Sequence, residues 1–403
     1  MNGISSGRIG APQIIAGILL FLFLGQCAWL VAHERPGEFE VTDADFDRIA
    51  EGIAQWRGHA IAGTPTVANP SPELLQIRGG RFDAHHSPLW YLIGSAPVAV
   101  LDISPDHRLW IWLTRAPYVL LGALLGASLW YVARRLYGNF GGYTALALYC
   151  FSPAVIRSTT LWFSNPDMGA AWGTFGAVFT AIAVAHTLYA PREVILWNWR
   201  RILLLGISLA LAIGSHFSLV IVLPLALAFM VYVAPNRTAA AIAILLAACG
   251  VALVLIFAAY FFHPRVFGES FMNTSWLDAS IRAMGMPAAY LQVIREGLAA
   301  GPVLVLLVPV AVVTYAAWPK TRYFGNTAPL VAAILFAILR VAAPHDPESV
   351  FSLLMAVFLF VFVAGIAADL LETKARELTA AVLLGLLSAN TLWNLIVLAR
   401  IGG

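Results

Sequence analysis

The chain is 403 residues long, 60% of them hydrophobic and only 11% charged, with a formal net charge of +3. Soluble domains run near 45–50% apolar and about 25% charged, so this composition excludes an ordinary soluble enzyme and points to the membrane class. The small basic excess is spread along the chain rather than gathered into a patch, which argues against nucleic acid as a partner.

The chain begins with Arg8 and an apolar run from about Ile14 to Val31. That run is span-length and has no small-x-small cleavage pattern, so it reads as an uncleaved first span. Residues 34–108 follow as a polar first loop, with Glu38, Glu40, Asp43, Asp45 and Asp47 and then the run Arg81-Phe82-Asp83-Ala84-His85-His86-Ser87-Pro88-Leu89-Trp90. Within the loop, Thr42 is placed to cap a short amphipathic helix near 43–57, with Phe46, Ile49, Ala50 and Ile53 on one face. A second helix near 86–101 opens at His86-Ser87-Pro88 and is too short to span. It is therefore placed at the outer interface.

Hydropathy then predicts spans at 12–32, 110–133, 141–156, 168–188, 202–216, 218–234, 239–262, 299–318, 326–343, 350–370 and 377–399. The expected fold is an all-α polytopic membrane protein of about eleven transmembrane helices, range 10–12, with no soluble C-terminal domain. Residues 202–234 read as a hairpin turning at Gly214-Ser215-His216, and residues 263–298 as a second long outer loop. Cys27, Cys150 and Cys249 lie in separate apolar runs and form neither a disulfide framework nor a metal pattern.

Positive charge orients the bundle. With the N-terminus inside, every inner connection carries a basic residue: Arg8; Arg134 and Arg135; Arg192, Arg200 and Arg201; Arg237; Lys320 and Arg322; Lys374 and Arg376. All histidines except His186 then fall on the outer side, with Asp43, Asp45, Asp83 and Asp167. One face is expected to carry the chemistry.

Three constellations stand out on that face. The first is the acidic turn at Asp43 and Asp45, whose acids stabilise a helix N-terminus or deprotonate an acceptor hydroxyl. The second is Asp83-Ala84-His85-His86 ahead of Pro88, either an interfacial belt or a phosphate and proton-transfer site. The third is Asn165-Pro166-Asp167, a carboxylate at the edge of the hydrocarbon that is either a cap or a functional group. His216 in its turn, and Arg340 near an outer turn, are weaker candidates as phosphate ligands.

In order and spacing these segments resemble the GT-C superfamily of membrane glycosyltransferases, in particular the dolichyl-phosphate-mannose protein mannosyltransferases and the aminoarabinose transferases. Thr42-Asp43-Ala44-Asp45-Phe46 sits where that family has an acidic motif, and His86-Ser87-Pro88-Leu89-Trp90 looks like its His-Pro-Pro-Leu-Tyr motif. The span from Arg115-Ala116-Pro117 to Ala133-Arg134-Arg135-Leu136-Tyr137-Gly138, then Ser152-Pro153 and Asp167, also match. Three departures are evident: the acidic pair is interrupted, Ser87 replaces a proline, and Ser215-His216-Phe217 replaces a lysine turn.

The resemblance implies an inverting glycosyltransferase of EC class 2.4. It would use a polyprenyl-phosphate sugar donor and a lipid, glycan or protein acceptor, at the periplasmic face of a bacterial inner membrane. Asp43, Asp45 and Asp167 are the implied catalytic carboxylates. Asp83, His85, His86, His216 and Arg340 are the implied substrate-binding groups. No cofactor is certain; a divalent metal, if used, would sit near Asp43 and Asp167. A catalytically silent relative and a transporter stand as alternatives.

Overall fold

A computed structural model of the chain describes residues 10–33, 52–53, 56–57, 86–104, 107–160, 166–189, 199–274, 276–277, 279–343 and 350–402. Among the described residues there is no strand. Helix α1 is Ala11–Ala32, α2 Leu89–Leu101, α3 Leu109–Cys150, α4 Pro153–Thr160, α5 Asp167–Ala185 and α6 Trp199–Ser215. A 3-10 segment, Phe217–Ile221, leads into α7, Val222–Val233, and α8 is Thr238–Ala259. Then come α9 (Pro264–Met272), α10 (Ile281–Met284), α11 (Pro287–Ala300), α12 (Pro302–Ala317), α13 (Phe324–Ala342), α14 (Val350–Leu371) and α15 (Arg376–Gly402).

The eleven hydropathy segments fall largely on helices, and among the described residues seven helices, with Leu109–Cys150 counted as one, are long and apolar enough to cross a membrane, or eight if the bent pair α11–α12 is one span. The expected count of about eleven is not confirmed by this measure, as several segments are short or broken. Helix α6 has 17 residues, α7 has 12, and α12 has 16. Helix α3 contains a non-helical Gly138 (φ 75°, ψ −175°). The chain reverses there: the Tyr149 hydroxyl donates to Gly122 O at 2.6 Å, whereas 27 residues of straight helix would hold them about 40 Å apart. A positive φ of this kind suits glycine, which has no Cβ to clash. Helix α2, 13 residues long, rises about 20 Å against a hydrocarbon core of about 30 Å.

Helix α14 is the hub. Its most apolar stretch is 94% buried, against 22% for α1 and α15. Its Phe351 and Phe358 stack on Phe336 of α13 at 6.4 and 5.8 Å, and Phe358 meets Phe175 of α5 at 5.7 Å. Rings at such separations add to the burial energy. Peripheral helices keep apolar side chains on the surface, such as Phe21 (74% exposed) and Leu246 (66%). That pattern suits a lipid solvent rather than water.

Helices α5 and α6 touch backbone to backbone. A Cβ at Gly173 would lie 2.6 Å from Ser208 O, and one at Gly169 would lie 2.7 Å from Ser215 Oγ. Gly169 and Gly173 are four apart on one helix face, the small-xxx-small spacing that lets membrane helices approach closely. Polar side chains tie other helices. Asn394 of α15 donates to Gln26 of α1, which donates to Cys150 O at 3.1 Å, and Asn390 donates to Phe151 O at 2.9 Å.

The second predicted outer loop is ordered as α9, α10 and α11. Gly301, at φ 154°, forms the joint where α11 and α12 meet at 112°. At the opposite end of the bundle, Asn326 donates to Asp369 at 2.8 Å and Tyr137 to Gly325 O at 2.5 Å. Burial and the nearby Asp369 carboxylate push the Tyr323 hydroxyl well above its ordinary range. Cys27 and Cys150 are buried thiols, and Cys249 is half-buried.

Candidate functional site

Two segments far apart in the chain are joined at the mouth of the bundle. Ser87 donates both its backbone N–H (3.0 Å) and its Oγ (2.6 Å) to Gly214 O. The approach is close: a Cβ on Gly214 would lie 2.8 Å from Leu89 Cδ2 and 3.2 Å from Ser87 Oγ, so a larger residue would have to displace the Leu89 side chain. The junction satisfies a carbonyl in the last turn of α6, where intrahelical donors run out. It also sets the direction of α2.

His86 lies one residue before Ser87, and His216 two residues after Gly214. Both are buried, at 4% and 2% exposure. Their rings meet edge to face, with centroids 5.3 Å apart and planes at 87°. His216 caps the 3-10 segment with an extended backbone (φ −151°, ψ 112°). Its Nδ1 is hydrogen-bonded to Ser218 Oγ, which fixes the ring and leaves Nε2 to face away from the turn. Phe351 of α14 closes the far side at 6.1 Å, and Trp90 flanks His86 at 5.7 Å.

Asp167 joins this end of the bundle through the α5–α6 contact. It is the first residue of α5 and fully buried. Gly169, two residues on, packs on Ser215, the neighbour of His216. A carboxylate in the first helical turn is stabilised by the helix dipole.

Arg340 is elsewhere. It is 4% exposed and grips Glu296 of α11 with Nε (2.9 Å) and a terminal nitrogen (2.7 Å), and donates to Ala343 O at 2.9 Å. This bidentate pair sits on the other side of the first turn of α14 from His216: Phe351 faces the imidazole and Ser352 donates to Glu296.

Asp43, Asp45, Asp83 and His85 lie outside the described residues. Of the first loop between residues 34 and 85, only residues 52–53 and 56–57 are described, and they rest on α2. Gly52 packs against Ser95 and Tyr91, Ile53 packs on Val98 and Trp110, and Trp56 Nε1 donates to Leu92 O at 2.9 Å.

Two residues were not singled out as site groups from sequence. Arg115, 3% exposed on α3, entered only as a landmark; an arginine inside an apolar run was the available signal. Glu296 gave a fainter one, as a lone acid in the apolar tail of α11. Among the described residues no group of three or more His, Cys, Asp or Glu is arranged to hold a metal ion. Asp167 alone does not make a metal site.

Beside His216 lies an apolar cavity of about 220 Å³, lined by Ile213, Phe217, Leu253, Ile256, Tyr260 and Trp276 among others. Phe217, the residue after His216, is part of its lining.

No protein-family model and no curated protein matches the chain. Solved structures do. The archaeal oligosaccharyltransferase AglB from Archaeoglobus fulgidus, in complex with an inhibitory peptide and a dolichol-phosphate, superposes with a TM-score of 0.59 at 13% identity, over 96% of this chain and 56% of that one. The apo form of the Archaeoglobus fulgidus oligosaccharyltransferase gives 0.63 at 12% identity, over 98% and 56%. The chain has the membrane fold of these oligosaccharyltransferase structures. A third structure, the same organism's enzyme in complex with Zn and sulfate, gives 0.59 at 13% identity, over 95% and 53%. The chain thus spans just over half the length of these structures.

Proposed function

We propose that the protein is a glycosyltransferase that moves a sugar from a polyprenyl-phosphate donor to an acceptor hydroxyl at the outer face of the membrane. The observation that carries this reading is the buried, edge-to-face His86–His216 pair, with an apolar cavity lined in part by Phe217, the residue after His216. A lipid phosphate has that same polarity, an anionic head on an isoprenoid tail. In this reading the tail lies against Phe217, Ile256 and Tyr260, and the phosphate meets the imidazoles. AglB has been solved with a dolichol-phosphate, a lipid phosphate of the same chemical class.

The chemistry follows from inverting displacement. The acceptor oxygen attacks the anomeric carbon, the bond from that carbon to the phosphate oxygen breaks, and the electron pair leaves with the lipid phosphate. A carboxylate takes the acceptor proton. Asp43 or Asp45 is assigned that role, and Asp167 orients the acceptor or the transferring sugar from the N-terminus of α5. Support for the first-loop acids comes from Gly52 and Trp56, which follow them in sequence and rest on α2, the helix just after His86. His86 and His216, with His85 as the preceding residue in sequence, are assigned to bind the departing phosphate and stabilise its charge, and Asp83 to bind the sugar. Arg340, proposed from sequence as a further phosphate ligand, is engaged by Glu296 and takes a different role below.

A divalent ion, if bound, would need Asp43 beside Asp167 and would compensate phosphate charge. No residue role above depends on it. The N-terminus is assigned to the cytoplasm and the site to the periplasmic side of a bacterial inner membrane, on the distribution of Arg and Lys.

The test is transfer by purified protein supplied with a series of radiolabelled polyprenyl-phosphate sugars, comparing wild type with Asp43→Asn, Asp45→Asn and Asp167→Asn. Loss of transfer in at least one variant is expected. Transfer untouched by all three would remove the carboxylates from the mechanism, and absence of transfer with every donor would overturn the reading.

A further inference from the structure

The turn that carries His216 is pinned along its main chain. The His216 N–H donates to Ala212 O at 3.0 Å, and the His216 carbonyl accepts from the Leu219 N–H at 3.0 Å. Two residues earlier, Gly214 O takes both bonds from Ser87. The backbone of the histidine is therefore held on both sides. That alone does not orient the ring, because the second side-chain torsion of a histidine is broad and roughly two-fold. A half-turn about it exchanges a nitrogen with a carbon at each edge of the imidazole.

Ser218 makes the choice. Its Oγ is hydrogen-bonded to His216 Nδ1, while His86 and Phe351 pack the ring at 5.3 and 6.1 Å. Ser218 is 5% exposed, and among the described residues its Oγ has no other hydrogen-bond partner. A hydroxyl carries one donor hydrogen and two acceptor sites. If Nδ1 held the ring proton and donated it, the buried Ser218 O–H would be left without an acceptor, and a buried unmatched donor bears its full desolvation cost. If Ser218 donates, that hydrogen is used and the Nδ1 lone pair is satisfied by the same bond. The bond therefore runs from the Ser218 hydroxyl to Nδ1, and the ring proton sits on Nε2.

We infer that Ser218 is a positioning residue: it holds His216 as the Nε2–H tautomer, so that the ring offers an N–H to the donor phosphate without carrying a positive charge. The part played in transfer rests on the proposed glycosyltransferase reading, and the tautomer rests on the contacts alone. A neutral ring suits the place. His216 is 2% exposed, and a buried cation must be paired to offset its desolvation, whereas a neutral N–H needs one acceptor. The contribution grows as the reaction proceeds. When the bond from the anomeric carbon breaks, its electron pair stays on the phosphate oxygen, and an N–H aimed at that growing charge strengthens. Interactions that strengthen toward the transition state act on kcat more than on KM. Without Ser218 the ring proton passes to Nδ1 in part of the molecules, and Nε2 then presents a lone pair to an anion.

Two readouts separate these. The full chain, isotopically labelled at the histidine nitrogens and reconstituted in lipid bilayers, is read by solid-state NMR at neutral pH, with His216 identified by the signals lost in His216→Gln. Wild type is expected to show a protonated Nε2 and an unprotonated Nδ1. Ser218→Ala is expected to move both signals toward a mixture of tautomers, and Ser218→Thr, which keeps the hydroxyl, to restore the wild-type pattern. Transfer from polyprenyl-phosphate sugars is measured on the same variants. Ser218→Ala is expected to lower kcat about five- to tenfold with KM changed less than about twofold, and Ser218→Thr to recover most of the loss. A protonated Nδ1 in wild type, ring signals unmoved by Ser218→Ala, or a fall in kcat that threonine leaves unrepaired would each overturn the inference. The wild-type spectrum decides the tautomer even where a variant does not fold. The expected tautomer, shifted by Ser218→Ala in a protein that transfers no sugar from any donor, upholds the Ser218–His216 assignment and overturns the transfer reading instead.

Discussion

The His86 and His216 rings meet edge to face at 5.3 Å, and Ser87, next to His86, makes two hydrogen bonds to the carbonyl of Gly214, two residues before His216. The pair is one structural unit made from the first loop and the end of α6. Residues that act as a unit give non-additive mutational effects. Replacing either histidine by alanine is expected to lower sugar transfer roughly tenfold to a hundredfold, short of the about 10²–10³ of a fully preorganised donor. The double replacement is expected to cost little more than the worse single one. A double-mutant cycle on kcat/KM measures this; effects that multiply independently would dissolve the pair.

Gly214 and Gly173 mark close approaches and should be intolerant of a methyl group. At Gly173 a Cβ would press on backbone, 2.6 Å from Ser208 O and 3.0 Å from Ala212 Cα, and backbone cannot rotate away. Gly173→Ala is expected to destabilise by about 1–3 kcal/mol or more. Gly214→Ala presses on the flexible Leu89 side chain and is expected to cost less stability while reducing transfer, because it tilts α2. Gly250 has nothing within 4 Å of its Cβ position, so Gly250→Ala is expected to be neutral or stabilising by about 0.5–1 kcal/mol. Thermal unfolding followed by tryptophan fluorescence ranks the three; equal effects would contradict the packing.

The Arg340–Glu296 pair predicts an asymmetry. Removing one partner of a buried pair leaves an uncompensated charge and costs about 3–5 kcal/mol, whereas replacing both by apolar residues is often neutral. Arg340→Met alone should unfold the protein at markedly lower temperature, and adding Glu296→Leu should recover most of the loss. Arg340→Lys should not rescue, since an ammonium cannot form the two parallel bonds to Glu296. Recovery by lysine would mean that charge alone, without the fork geometry, holds the site.

The Gln26–Asn394 bridge between α1 and α15 predicts a smaller effect. Interhelical polar contacts in membranes average about 0.6 kcal/mol. Asn394→Leu is expected to lower the unfolding temperature slightly, and to leave transfer unchanged because α15 lies away from the histidine pair. A fall in transfer larger than the fall in stability would place α15 in the site.

Much of this molecule is legible in one dimension. The helices are, because an apolar run about as long as the bilayer is thick has few other ways to satisfy its backbone. The same logic places α2 as a short helix, since 13 residues cannot cross. His86, His216 and Asp167 are legible singly, as ionisable groups at the ends of apolar runs. Their grouping is not. It depends on Gly169 and Gly173 letting α5 meet α6, and on Ser87 finding Gly214 O, contacts between segments far apart in sequence that no local pattern encodes.

The division has a physical cause. Sequence alone determined the solvent, the helices and which residue types could do chemistry, because each follows from local hydropathy and charge. Tertiary structure alone decided that Gly138 folds α3 back on itself and that Glu296 takes Arg340. It also decided that Phe351 faces His216 while the next residue, Ser352, turns to Glu296. Those outcomes depend on which surfaces fit, and packing is a property of pairs of segments, not of either one.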